Sequence, residues 1–160
     1  MVFVMHVTAL SAVLAFTRGD RRRNLLDRIL GGETLVTEAI SEPGSGSQWW
    51  SVHSNAVAAD RGYRLQANKS FCTSAGYADL YVVSTRAPEQ ASDRRHALFL
   101  VDAATDGISA GSWNGLGLRG NMSSTIAFDC YVPRDALLVA DDGIGDNDAL
   151  REYNEINQPL

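Results

Sequence analysis

The sequence predicts a mainly β protein: an antiparallel β-sandwich or barrel-like domain preceded by an N-terminal helical hairpin. Three observations carry this. Before Leu35, residues 2–16 are apolar on most faces and 21–30 carry apolar residues at helical spacing, a helical hairpin. From Leu35 onward, apolar and β-branched residues recur in short runs. Turns rich in Gly, Pro, Asp and Ser separate those runs, with no helical pattern between them.

Residues 2–16 are apolar on most faces and read as a buried helix. They do not read as a membrane anchor. No basic residues precede them, His6 interrupts them, and a bilayer needs about 20 apolar residues. No capping residue precedes this helix, so the chain reads as cut into, not begun. Thr17-Arg18-Gly19-Asp20 is a break, and Asp20 is placed to cap a second helix over 21–30. Leu25, Leu26, Ile29 and Leu30 give that helix its apolar stripe, Gly31-Gly32 ends it, and its arginines read as solvated.

The strands follow. Leu35 to Ile40 leads into Pro43-Gly44. Residues 51–59 read as a strand, and Asp60-Arg61-Gly62 turns it into a hairpin partner over 63–71. Ser74-Ala75-Gly76 is the next turn. Residues 79–85 and 97–101 read as buried strands separated by a polar loop over 88–95. Residues 108–113 form a weaker strand, Gly115, Gly117 and Gly120 punctuate a loop around Arg119, and 123–132 is a strand ended by Pro133. That makes six or seven strands. The tail from Asp141 is acidic, and 147–160 reads as the start of another helix.

With 160 residues the chain suffices for one domain with its own core. Hydrophobic residues are 45% and charged residues 21%, an ordinary globular balance. The formal net charge is -5, and Arg21-Arg22-Arg23 is short and flanked by acids, which argues against a nucleic-acid partner. Cys72 and Cys130 match no metal spacing and read as reduced core residues, which fits a cytoplasmic protein without a metal.

The chemistry-bearing stretch is Glu42-Pro43-Gly44-Ser45-Gly46-Ser47. Gly44 and Gly46 permit positive φ, and alternating handedness points successive N–H groups into one anion-binding concavity. Ser45 and Ser47 add hydroxyls. A flexible surface turn accounts for the same composition. Glu42 reads either as a base or as a solvated or capping carboxylate, with composition favouring the latter. Trp49 and Trp50 fit ring stacking, or core or interface packing, equally. Phe71 and Thr73 stand two apart at a strand end and are expected to share one face. His6, His53 and His96 form no catalytic constellation, and neither a P-loop nor a G-x-G-x-x-G motif is present.

The order of motifs says more than any one of them. Glu-Pro-Gly-Ser-Gly-Ser is followed by Gly62-Tyr63-Arg64-Leu65-Gln66-Ala67-Asn68-Lys69-Ser70-Phe71-Cys72-Thr73-Ser74-Ala75-Gly76. Then come Ala78-Asp79-Leu80-Tyr81-Val82-Val83, Gly117-Leu118-Arg119-Gly120-Asn121, and Phe128-Asp129 before Val132-Pro133. This series resembles the middle β-domain of the acyl-CoA dehydrogenase family over nearly the whole chain. The resemblance implies three parts: 1–33 as the end of an N-terminal helical domain, 34–140 as the β-domain, and 141–160 as a linker into a truncated C-terminal helical domain. It implies FAD as cofactor, held by Ile40, Ser41, Gly46, Ser47, Phe71 and Thr73. The pattern Ser41-Glu42-Pro43 with Gly46-Ser47 matches the family's contacts to the flavin pyrimidine edge and pyrophosphate. Phe71 and Thr73 match its aromatic-x-Thr at the ring, where the hydroxyl reaches the N5 region. Ser47 also matches a contact to acyl-CoA.

There are departures. Gln48 replaces the family's usual acid, Gln66-Ala67 replaces Asn-Gly, and the stretch from Phe128 to Pro133 is one residue short. A one-residue change inside a strand swaps its faces unless a bulge absorbs it. The catalytic glutamate belongs to the family's C-terminal domain, so no catalytic residue is expected in this chain. The implied function is a fragment or truncated member of an FAD-dependent acyl-CoA dehydrogenase, inactive alone. Its implied partners are acyl-CoA, an electron acceptor, and further copies or a homologous subunit. The alternatives are a flavin-dependent monooxygenase of the same fold and a non-catalytic partner subunit.

Overall fold

The computed structural model describes residues 1–46, 48, 51–88 and 96–140. Helix α1 spans Val2–Phe16 and α2 spans Gly19–Leu30. Eight strands follow: β1 Val36–Ala39, β2 Asn55–Ala59, β3 Gly62–Cys72, β4 Leu80–Arg86, β5 His96–Asp102, β6 Ile108–Ala110, β7 Ser124–Pro133 and β8 Leu137–Ala140. They form two four-stranded sheets, ordered β1-β4-β5-β8 and β2-β3-β7-β6. The pairings are antiparallel except β1 with β4, which run parallel. Short β8 was not anticipated from the sequence.

The two sheets pack face to face over Leu65, Tyr81, Val83, Phe99, Ile126 and Phe128. Edge-to-face ring pairs cross between them, Tyr63 with Phe99 at 5.2 Å and Tyr81 with Phe128 at 5.6 Å. The outer face of the first sheet is covered by α1, whose Ala9, Ala12 and Val13 meet Val36, Val82, Leu98 and Leu100. Strands β4 and β5 are therefore buried on both faces, which is why they read as continuous apolar runs. In the second sheet, β7 alternates buried and exposed positions.

The departures from expectation have local causes. Helix α2 starts at Gly19, with Arg22 N–H donating to Arg18 C=O, so Arg18 is the cap residue. Asp20 lies inside the first turn, where its charge faces the positive helix end and pairs with exposed Arg23 at 3.3 Å. Gly31 and Gly32 do end α2, with Gly32 at φ +76°. Strand β2 begins at Asn55, not at 51, because the amides of His53 and Ser54 turn to the Glu42 carboxylate instead of a ladder partner. Strand β6 is confined to Ile108–Ala110. The shortened stretch before Pro133 needs no bulge: β7 pairs with β3 continuously from Ile126 to Pro133. The irregularity lies across from it, in β3 between Lys69 and Cys72.

Both cysteines are free and buried. Burial pushes the Cys72 thiol up to about 12 and the Cys130 thiol to about 11, so neither is a nucleophile near neutrality. Among the described residues, no helix is long and apolar enough to cross a membrane.

Candidate flavin-binding edge

The exit of β1 and the end of β3 meet through one backbone bond, in which Ser70 N–H donates to Ser41 C=O at 2.8 Å. This sets Ile40 and Ser41 beside Ser70 and Phe71. The bulge after Lys69 then throws Phe71 outward. Its φ is +55°, in the left-handed region that a bulky residue seldom adopts, and its side chain is 73% exposed. Thr73 is only 4% exposed. The expected shared face of Phe71 and Thr73 is thus corrected, because the bulge breaks the period of two between them.

Thr73 is held from two sides. Its C=O accepts the Thr37 hydroxyl at 2.9 Å, and its Oγ1 lies 3.0 Å from Ser123 Oγ. One of two paired hydroxyls donates to the other and leaves a second proton to give. Nearby, Ser74 N–H donates to Asn121 C=O, and the buried Oδ1 of Asn121 has no partner among the described residues.

The turn after Glu42 carries Gly44 at φ +88° and Gly46 at φ +58°, with open space where a Cβ would stand. That alternation suits an anion-binding concavity, and the Gly46 end is exposed. Ser45 is a correction. It is buried; its hydroxyl donates to Glu42 C=O at 2.9 Å and accepts from Glu42 N–H at 3.2 Å, so it is not free for a ligand. Ser47, Trp49 and Trp50 lie outside the described residues, as do most of the polar loop over 88–95 and all of 141–160.

Glu42 is a further correction. It is neither solvated nor available as a base. Its carboxylate is 2.5 Å from Lys69 Nζ and accepts the amides of His53 at 2.5 Å and Ser54 at 3.1 Å. Burial alone would raise its pKa, but the Lys69 ammonium and these amides outweigh that and hold it below the usual carboxylate range. Lys69 also donates to Ser84 Oγ at 3.0 Å and to Ile40 C=O at 3.2 Å. Burial lowers its pKa to about 8 against the opposing pull of Glu42.

Sequence reasoning missed Lys69, Ser84 and Ser123. For Lys69 a signal existed: it shares the parity of Leu65 and Ala67, the inward face of β3. An open cavity of about 630 Å³ also lies beside Glu42, walled by His53, Asn55, Gln66, Asn68 and Asp129. None of those wall residues was expected at a site.

Known proteins align with this geometry. The family described as "Acyl-CoA dehydrogenase, middle domain" matches residues 37–130. An acyl-CoA dehydrogenase of Bacillus subtilis (strain 168) is 30% identical over 146 residues, covering 89% of this chain and 38% of its own length. Amino sugar nitrososynthase DnmZ of Streptomyces peucetius is 40% identical over 133 residues, covering 79% of this chain and 31% of its own length. The crystal structure of acyl-CoA dehydrogenase from Geobacillus kaustophilus superposes with a TM-score of 0.78 at 26% identity, covering 93% of this chain and 40% of that one. The chain therefore spans 31% to 40% of the length of these relatives.

Proposed function

Because the chain belongs to the acyl-CoA dehydrogenase family, we propose that it supplies the β-domain share of an FAD site in an enzyme that oxidises the α,β bond of acyl-CoA thioesters. The observation that carries this is Phe71: a large ring, 73% exposed and held at φ +55° by a bulge, beside the polar groups of Ser41 and Thr73. An exposed aromatic ring in a strained conformation is costly without a ligand to cover it.

The residues fit a flavin. Phe71 would pack against the ring system, and Ile40 and Ser41 would hold its polar edge. The spare proton of the Thr73–Ser123 pair is a donor for a ring nitrogen. Gly46 would serve the pyrophosphate; Ser47, outside the described residues, would by the family resemblance serve it as well, and the acyl-CoA. When bound, FAD supplies a two-electron acceptor for the substrate's β-hydride. This chain's part is to bind and orient. Among the described residues Glu42 is not available as a base for the α-proton, because it is already committed to Lys69 and two amides. That base, an electron acceptor and further subunits complete the enzyme.

A second reading is a flavin-dependent monooxygenase. Identity to the nitrososynthase is 40%, against 30% to the Bacillus subtilis dehydrogenase. Substrate choice separates the two. A protein of the relatives' full length that carries this β-domain is mixed with an acyl-CoA panel, and separately with an amino sugar, a flavin reductant and oxygen. Bleaching of the flavin by acyl-CoA supports the dehydrogenase. Oxygen-dependent turnover of the amino sugar, with no bleaching by acyl-CoA in the other arm, supports the monooxygenase. Inertness in both arms contradicts the proposal.

A further inference from the structure

Lys69 is 1% exposed and Glu42 5%. Burying both charges is not explained by sheet stability, since a well-packed apolar pair commonly does as well or better. What apolar side chains cannot do is hold backbone. Lys69 Nζ directs its three donors to Glu42, Ser84 and the Ile40 carbonyl. The Glu42 carboxylate takes the amides of His53 and Ser54. These bonds gather the exit of β1, the approach to β2, the middle of β3 and the middle of β4. The pair thus ties the turn that begins at Glu42 to the approach to β2 at His53 and Ser54.

The geometry points to Glu42 and Lys69 as positioning residues that fix the 43–46 turn against the approach to β2 and so present Gly46 to the cofactor's phosphates. This rests on the flavin reading above. Neither side chain touches the cofactor: both act through the backbone of Ile40, His53 and Ser54.

The test uses Glu42→Gln, Lys69→Met and the double variant, read by amide exchange and by FAD titration. In Glu42→Gln the amides of Ser45, His53 and Ser54 exchange at least about tenfold faster, while those of Leu65, Val82 and Phe99 keep their rates. FAD affinity falls about tenfold with them. The wild type also loses affinity as pH rises past about 8, where Lys69 gives up its proton. Glu42 and Cys72 are the titratable groups acting on Lys69, and Cys72 stays a neutral thiol up to about 12. The double variant, which replaces both charges and tolerates folding best, shows no such step. Unchanged exchange at His53 and Ser54 overturns the inference, as does equal acceleration throughout the core. Phe71→Ala separates the two claims. If it weakens FAD binding while Glu42→Gln does not, the positioning role fails and the flavin reading stands. If Phe71→Ala changes nothing, the flavin reading fails and the positioning role with it.

Discussion

At the scale of single residues, the Glu42–Lys69 pair ties stability to pH from both ends. The Glu42 pKa is below 4.5 in the folded chain, so between that value and 4.5 the unfolded state binds more protons. Its contribution is therefore complete above 4.5 and lost as pH falls through the native value. Lys69 acts with the same sign at the alkaline end. Its native value of about 8 lies below 10.5, so the unfolded state holds the extra proton between them and stability rises with pH across that window. Urea midpoints measured across a pH series check both slopes: Glu42→Gln flattens the acid one and Lys69→Met the alkaline one. Lys69→Met alone strands a buried carboxylate at neutral pH and costs about 3–5 kcal/mol. The double variant recovers much of that loss, and equal losses in the two would contradict the pairing. The inward direction of Lys69 was legible from its parity with Leu65 and Ala67. Its partner was not, because Glu42 is 27 residues away and sits in a turn whose composition suggests solvent.

At the scale of elements, pattern and burial agree where packing is regular. Strands β4 and β5 read as buried runs because α1 covers their outer face, and β7 reads as alternating because one face of its sheet is open. They part company where one side chain redirects the backbone. The late start of β2 follows from Glu42 taking two amides, and the outward turn of Phe71 follows from a bulge, neither of which has a periodic signature. The tightest approach in the second sheet is at Gly62, where an added Cβ would lie 1.9 Å from Val132 C=O. Gly62→Ala must therefore push β3 from β7 at the hairpin start, with a predicted loss of about 1–3 kcal/mol. A thermal melt within error of the wild type would show that the strands have slack there.

At the scale of the molecule, α1 is half used. Val13 is fully buried, but Phe3 is 76%, Val4 56% and Val7 45% exposed along the same helix. Exposed apolar patches of a few hundred Å² drive association. The 160-residue chain is predicted to self-associate in light scattering, and a monomer at high concentration that binds no hydrophobic dye would refute this. Alone it should also leave added FAD unreduced by any acyl-CoA, since Glu42, the carboxylate beside this edge among the described residues, is committed to Lys69. The central claim is that this fold presents a flavin-binding edge at Ser41, Phe71 and Thr73, and titration of FAD by fluorescence quenching tests it most directly. Weak binding is expected, with Kd on the order of micromolar or poorer, because a few hydrogen bonds and one ring contact must offset immobilising a long dinucleotide. Phe71→Ala and Ser47→Ala should each weaken it by roughly tenfold, and Thr73→Ala should shift the flavin absorption band more than the affinity. No saturable quenching, or a titration that none of the three substitutions alters, would contradict the account.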